Sequence, residues 1–139
     1  MTVLVTGARG AVGSSVVAGL TAAGVPVRTA GRDPEKLPEG DRVRLDLTDP
    51  SSFGPALEGV DRVFVYVTED LRPFARAVAE AGVRHAVLLS SESVLTEPEP
   101  EPGGIAAHHA EAEVALRGAG VPTTALRPCL LYTSDAADE

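Results

Sequence analysis

The stretch Val3-Leu4-Val5-Thr6-Gly7-Ala8-Arg9-Gly10-Ala11-Val12-Gly13 decides how the rest of the chain is interpreted. It opens with apolar, β-forming residues and runs directly into glycines spaced three apart. A helix-like pattern of apolar residues follows from residue 11 to residue 23. The stretch therefore predicts a strand, a tight turn and a helix.

The glycines of this turn indicate a site for a diphosphate. A Cβ in the turn would keep the backbone away from such a group and would hold the helix away from the strand. The helix that follows directs its first N–H groups and its positive dipole end at the anion. A glycine-rich turn that binds nothing is the competing interpretation, but the flanking strand and helix favour a dinucleotide. The candidate cofactor contacts in this stretch are Gly7, Arg9, Gly10, Ala11, Val12 and Gly13.

Length, composition and charge exclude several classes of protein. The 139 residues are 44% hydrophobic and 23% charged, which predicts one globular domain. The net charge of −8, without a basic stripe, argues against nucleic acid and anionic membrane partners. With no leader and no membrane-spanning apolar run, we expect a cytoplasmic protein with a small-molecule partner. The single cysteine, Cys129, excludes an internal disulfide, and nothing indicates the oligomeric state.

Strands and helices alternate along the rest of the chain. Further strands are predicted over residues 25–30, 43–47, 63–67, 86–89 and 123–126, and helices over 48–57, 71–81 and 105–118. This alternation predicts an α/β fold of the Rossmann type, a doubly wound parallel sheet with strand order 3-2-1-4-5-6 that ends at strand six. The proline-rich segment 97–102 is expected to be an extended loop, with a lid over a substrate as the alternative.

The chain resembles the NmrA-like branch of the atypical short-chain dehydrogenase/reductase superfamily of NAD(P)-binding proteins. The matching segments are the glycine turn and residues 31–34, 46–49, 57–61, 82–85 and 113–128, in the family's order. The resemblance implies a dinucleotide over the carboxyl ends of the strands. It places Asp46 and Leu47 near the adenine and the Ser90-Ser91 turn near the nicotinamide. Tyr66 and Val67, which end the fourth strand, complete the predicted cofactor contacts.

The end of the second strand favours NADP over NAD. An NAD site places an acidic residue there to accept from the ribose 2′-OH, but this strand ends Ala30-Gly31-Arg32. Arg32, together with Arg9 of the glycine turn, could pair with a 2′-phosphate. Asp33 is the competing acidic candidate for NAD, although Asp33-Pro34 is also the pattern of a helix N-cap. We therefore predict NADP, with NAD as the alternative.

The sequence lacks the pair of catalytic residues that is typical of the superfamily. Many members of the superfamily use a Tyr-x-x-x-Lys pair, and the alignment implied by the resemblance places Ile105 and His109 at those positions. His109 and Ser91 are the remaining catalytic candidates, although the adjacent histidines could be ordinary polar residues at a helix start. The histidines and nearby glutamates lack the His-Glu-x-x-His spacing, so no metal site is predicted.

The resemblance implies an NADPH-dependent oxidoreductase that passes hydride to a small quinone-like or conjugated acceptor. The first alternative is a regulatory module that senses NADP without turnover. A relative of nucleotide-sugar epimerases or dehydratases comes third, because it would need the missing Tyr/Lys pair.

The last eleven residues do not continue the pattern of the domain. Residues 129–139, when reverse-translated, resemble a transposase-adapter sequence read in frame, and such segments are left out of fold reasoning. We therefore expect an incomplete NAD(P)-binding domain over residues 1–128 and a non-native tail after it.

Overall fold

The computed structural model describes residues 1–66, 70–91, 94 and 104–128. Within these ranges the chain forms a six-stranded sheet. The strands are β1 (Val3–Thr6), β2 (Val27–Gly31), β3 (Arg42–Arg44), β4 (Arg62–Tyr66), β5 (His85–Leu89) and β6 (Thr123–Leu126). The helices are α1 (Ala11–Ala22), α2 (Phe53–Leu57), α3 (Arg72–Glu80) and α4 (Ile105–Gly118), with 3-10 turns at Pro34–Lys36 and Pro50–Ser52.

The sheet has the order β3-β2-β1-β4-β5-β6, which confirms the predicted topology. Every neighbouring pair of strands is parallel. Val3 of β1 is aligned with Val27 of β2 on one side and with Arg62 of β4 on the other. Successive strands are therefore added on one side of β1 up to β3, and on its other side from β4 onward. Open α/β sheets bind ligands in the crevice outside the carboxyl ends of the two strands at which this change occurs.

Helices cover the two faces of the sheet and bury alternate residues of its strands. The face that carries Val3, Val5 and Phe64 packs against apolar side chains of α1. The opposite face carries Leu4 and Val63 and packs against the other three helices. Those helices contribute Phe53, Phe74 and Leu116 to the core, all at most 3% exposed. Burial on both faces explains why β1 and β4 are almost continuously apolar in sequence.

Strand β3 ends earlier than the alternation predicts, at Arg44 and not at residue 47. The N–H of Leu45 still donates to the carbonyl oxygen of Gly31 at 2.8 Å, but the chain then turns away from the ladder. Asp46 causes this turn, because its carboxylate accepts from both the N–H and the hydroxyl of Thr48. An Asp that bonds its own backbone two residues on is a strong turn former.

Several predictions fall outside the described residues. They concern Val67, the proline-rich segment 97–102 and the tail 129–139. In the part of the chain that is described, no helix has the length and apolarity needed to cross a membrane.

Thr29 of β2 carries a buried hydroxyl whose oxygen has no hydrogen-bond partner among the described residues. A buried polar group without a partner destabilises the fold, whereas an apolar group of the same shape does not. We therefore expect Thr29→Val to raise the free energy of unfolding by about 1 kcal/mol. Urea denaturation of both proteins measures this change. A destabilised Val variant would show that the hydroxyl is satisfied in solution.

Candidate cofactor site

Thr6 holds β1 and β4 together at the point where they begin to separate. Its buried hydroxyl donates to the carbonyl oxygen of Phe64 at 3.0 Å and accepts from the N–H of Tyr66 at 3.3 Å. The backbone register between these strands pairs residues only as far as Val5 and Phe64. Beyond this pair, the Thr6 side chain takes the place of backbone hydrogen bonds between the two strands. The carboxyl ends of β1 and β4 are therefore open toward the glycine turn.

The glycine turn has the conformation and the close contacts that its sequence predicts. Gly7 has a φ of 63°, in the left-handed region that favours glycine, and its carbonyl oxygen accepts from the N–H of Gly10 at 3.0 Å. A Cβ on Gly13 would lie 1.9 Å from that same carbonyl oxygen. Helix α1 can therefore approach the turn this closely only with glycine at residue 13.

A cleft of about 690 Å³ opens at this edge of the sheet. The glycine turn forms one wall, and the residues that follow β2 form another. Of the predicted cofactor contacts it brings together Gly7, Arg9, Gly10, Val12, Gly13, Arg32 and Tyr66. Ala11 lies beside them as the first residue of α1, a helix with no acidic residue in its first turn. The positive end of the helix dipole is therefore available to an anion in the cleft.

A smaller cavity of about 130 Å³ adjoins the cleft and shares Gly7, Arg32 and Tyr66 with it. Asp46 and Leu47, predicted near the adenine, line this cavity. The hydroxyl and N–H of Thr48 hold the pKa of the Asp46 carboxyl below its ordinary value. Asp46 is thus an ionised hydrogen-bond acceptor in the cavity next to the cleft.

The glycine turn and the residues after β2 present cations to the cleft. Arg9, Arg32 and Lys36 line it, and all three are exposed. Asp33 also lines it, but its carboxylate caps the turn Pro34–Lys36 by accepting from the N–H of Glu35 at 3.2 Å. The N-cap interpretation of Asp33-Pro34 is therefore confirmed, and Asp33 has one oxygen already engaged.

Three of the predicted site residues are not among those that line the cleft. Within the described ranges its lining includes neither Ser90, Ser91 nor His109. Ser90 is 3% exposed and donates its hydroxyl hydrogen to Glu113 at 2.6 Å. Ser91 follows Ser90 at the carboxyl end of β5, and His109 is half-buried on α4. Their roles toward a nicotinamide stay predictions.

Glu113 is the centre of a buried ionic cluster beside the candidate site. Besides Ser90 it accepts from Arg117, four residues along α4, at 3.1 Å. Arg127, just past β6, donates to both carboxylate oxygens of Glu113. Burial raises the pKa of the Glu113 carboxyl, but the hydrogen bonds from Arg127, Ser90 and Arg117 outweigh burial and lower this pKa to about 2. The cluster ties the carboxyl ends of β5 and β6 to α4.

Sequence reasoning missed Lys36, Glu113 and Arg127 as parts of the site and its support. The only local signal was the spacing of Glu113 and Arg117, four apart on a helix. The other contacts depend on how the strands are paired.

Comparison with known proteins identifies the family. A family model described as NAD(P)H-binding matches residues 7–139, and the chain belongs to this NAD(P)H-binding family. The predicted resemblance and the predicted class of cofactor are thereby confirmed.

Two relatives illustrate the range of proteins that this family includes. The chain is 42% identical over 134 residues to a (4-alkanoyl-5-oxo-2,5-dihydrofuran-3-yl)methyl phosphate reductase of Streptomyces griseus, covering 91% of this chain and 46% of the relative. It is 33% identical over 150 aligned positions to the nitrogen metabolite regulation-like protein bik4 of Gibberella fujikuroi. That alignment covers 90% of this chain and 46% of the relative. The chain spans about half the length of the curated relatives it matches.

Solved structures show the same fold. A triphenylmethane reductase of Citrobacter sp., complexed with NADP(H), superposes with a TM-score of 0.80 at 24% identity, over 95% of this chain and 50% of the other. An NADPH-dependent quinone oxidoreductase of Escherichia coli gives a TM-score of 0.76 at 27% identity, over 92% of this chain and 47% of the other.

Proposed function

We propose that the chain is the cofactor-binding part of an NADPH-dependent reductase. In this proposal it transfers hydride to a small quinone-like or otherwise conjugated acceptor. The observation that carries the proposal is the groove that the cleft and the adjoining cavity, which share Gly7, Arg32 and Tyr66, form at the carboxyl edge of β1, β2 and β4. It joins the glycine turn, the exposed Arg9 and Arg32 and the Asp46-Leu47 cavity. The 42% identical relative of Streptomyces griseus that is named as a reductase supports a reductive reaction.

The residues of the groove fit a dinucleotide part by part. The turn from Gly7 to Gly13 offers close backbone approach and a helix dipole to the diphosphate. Asp46 would accept from the adenine amino group, and Leu47 would pack on the ring. Arg9 and Arg32 would pair with the 2′-phosphate. When bound, NADPH supplies the hydride, and the chain's own task is to fix the cofactor over the sheet edge.

The proton that accompanies hydride needs a separate source, because the Tyr-x-x-x-Lys pair is absent from this sequence. A quinone-like acceptor suits such a site, since the reduced product is a stabilised phenolate that can take its proton from water or from a nearby imidazole. His109 and Ser91 are the side chains that we propose for this role.

The nucleotide preference gives the first test. We expect Arg32→Ala to weaken NADP⁺ binding about 10- to 100-fold, the range of one charge-assisted hydrogen bond, while NAD⁺ binding changes little. Calorimetric titration of both cofactors measures this. Arg84→Ala is the control, since exposed Arg84 precedes β5 at the opposite edge of the sheet. Equal losses for NADP⁺ and NAD⁺ would contradict a contact to the 2′-phosphate.

A second candidate is a module that senses the redox state of NADP without turnover. The relative named as a nitrogen metabolite regulation-like protein favours it. Steady-state oxidation of NADPH against a panel of quinones separates the two candidates, and the product of the whole gene is the proper sample. Tight NADP⁺ binding with no oxidation above background would favour the sensor.

A further inference from the structure

The hydrogen bond between Ser90 and Glu113 joins the carboxyl end of β5 to helix α4. Along β5, Ala86 and Leu88 belong to the core formed with α2, α3 and α4, whereas Leu89 packs on the opposite face of the sheet. Ser90 continues the first series, because side chains alternate along a strand, and its hydroxyl reaches Glu113 at 2.6 Å. The hydroxyl hydrogen of Ser90 is thus engaged by a carboxylate of the fold itself, which suits a supporting role.

The same carboxylate holds the end of β6. Arg127, the first residue after β6, donates to both oxygens of Glu113. The N–H of Ser90 donates in turn to the carbonyl oxygen of Leu126 at 2.7 Å. Two strand ends and one helix therefore meet at a single side chain that is 4% exposed. A buried polar network whose members are all satisfied is rigid, so the end of β5 has little freedom to move relative to α4.

This end of β5 lies where the second half of a dinucleotide would be placed. The cavity of Asp46 and Leu47 is on the β3 side of the glycine turn, and it is the part of the groove that we propose for the adenine. With the diphosphate at the turn, the nicotinamide would extend to the other side, over the ends of β4 and β5. The cleft is lined there by Phe64 and by Leu89, the residue before Ser90.

We propose that Glu113 is a positioning residue for the nicotinamide ring, and that it acts through Ser90 by fixing the end of β5 on which the ring would rest. The inference rests on the proposed binding of NADPH in the cleft. His109 is one helical turn before Glu113 and Ser91 directly follows Ser90, so the same bond sets the distance between the two side chains proposed as proton donors. Hydride transfer requires a narrow range of distance and direction, so loosening this end of β5 slows transfer more than it weakens binding.

The fluorescence of bound NADPH tests the inference without turnover, because the lifetime of the reduced nicotinamide shortens when the ring is mobile. In the product of the whole gene, we expect Ser90→Ala to shorten the lifetime of bound NADPH. Its affinity for adenosine 2′,5′-bisphosphate, which lacks the nicotinamide, should stay unchanged. The matched control is Thr123→Val, which removes a hydroxyl that donates to the carbonyl oxygen of Val121 at the amino end of the same two strands.

The result that would overturn the inference is a lifetime that Ser90→Ala leaves unchanged, or that both variants shorten equally. If neither NADPH nor the bisphosphate binds to the wild-type protein, the proposed function fails and this inference fails with it. If NADPH binds but is not oxidised, only the reductase is contradicted, and the lifetime still decides the role of Glu113.

Steady-state kinetics with NADPH and menadione, a simple quinone, measures the effect on the reaction. Ser90→Ala is expected to lower kcat about tenfold, to leave KM for NADPH nearly unchanged and to raise the isotope effect of deuterium at the transferred hydrogen. Glu113→Gln should change kcat at least as much, and the double variant should resemble Glu113→Gln alone, because the serine acts through the glutamate. Independent, additive effects would contradict the inference, and if Glu113→Gln does not fold, the comparison of Ser90→Ala with Thr123→Val decides.

Discussion

Replacing Gly13 with alanine is expected to abolish NADP⁺ binding and to destabilise the fold by about 3 kcal/mol or more, the upper end for overpacked sites. The added Cβ would lie 1.9 Å from the carbonyl oxygen of Gly7 and 2.5 Å from its carbonyl carbon. Neither atom belongs to a flexible side chain, so α1 itself has to move away from the turn. The movement would displace the first N–H groups of the helix from the position where a diphosphate would contact them.

A second glycine of the same helix provides the control. A Cβ on Gly19 would meet nothing within 4 Å. Gly19→Ala should therefore stabilise the protein by up to about 1 kcal/mol, through helix propensity alone, and leave cofactor affinity unchanged. Thermal unfolding and calorimetric titration of the two variants measure both effects. If Gly13→Ala retained wild-type affinity and stability, the close approach of helix and turn would not be needed for binding.

The order of the strands could be predicted because it follows from local patterns. Apolar runs, the glycine after each helix and the regular alternation of strand and helix are visible in single segments. The parallel pairing then follows from connections that are too long for hairpins. The end of β3 was missed because the apolar alternation continues through Leu47. There the Asp46 turn overrides the β pattern, and hydrogen bonding to Thr48 decides the conformation.

The two parts of the candidate site differ in how well sequence alone predicts them. The glycine turn is contiguous, so Gly7, Arg9 and Gly13 are brought together by one strand and one helix. The cluster around Glu113 joins residues 14 and 23 positions apart, from β5, α4 and the end of β6. Ser90 and Arg127 become neighbours of Glu113 only when β5 and β6 pair. Lys36 was missed for a similar reason, because only the anchored turn after β2 directs it to the cleft.

Removing the charge of Glu113 is expected to destabilise the protein by roughly 3 kcal/mol at neutral pH, the range for breaking a buried ion pair. The Glu113 side chain is 4% exposed and accepts hydrogen bonds from Ser90, Arg117 and Arg127. Glu113→Gln leaves two guanidinium groups without their shared carboxylate, and Arg127 is itself only 29% exposed. Glu111→Gln, at an exposed position of the same helix, should change the free energy of unfolding by less than about 0.5 kcal/mol.

The free energy of unfolding of the wild-type protein should differ from that of Glu113→Gln by an amount that depends on pH. This dependence distinguishes an effect of the charge from an effect of packing. The pKa of Glu113 falls from its ordinary 4.5 to about 2 in the folded chain. A carboxyl whose folded pKa is lowered contributes stability that is complete above its unfolded pKa and is lost as the pH falls toward its folded pKa. The wild-type protein should therefore lose its advantage over Glu113→Gln between about pH 5 and pH 2. Urea denaturation across that range measures it, and a gap that stayed constant down to pH 2 would mean that the charge of Glu113 is not the cause of the difference.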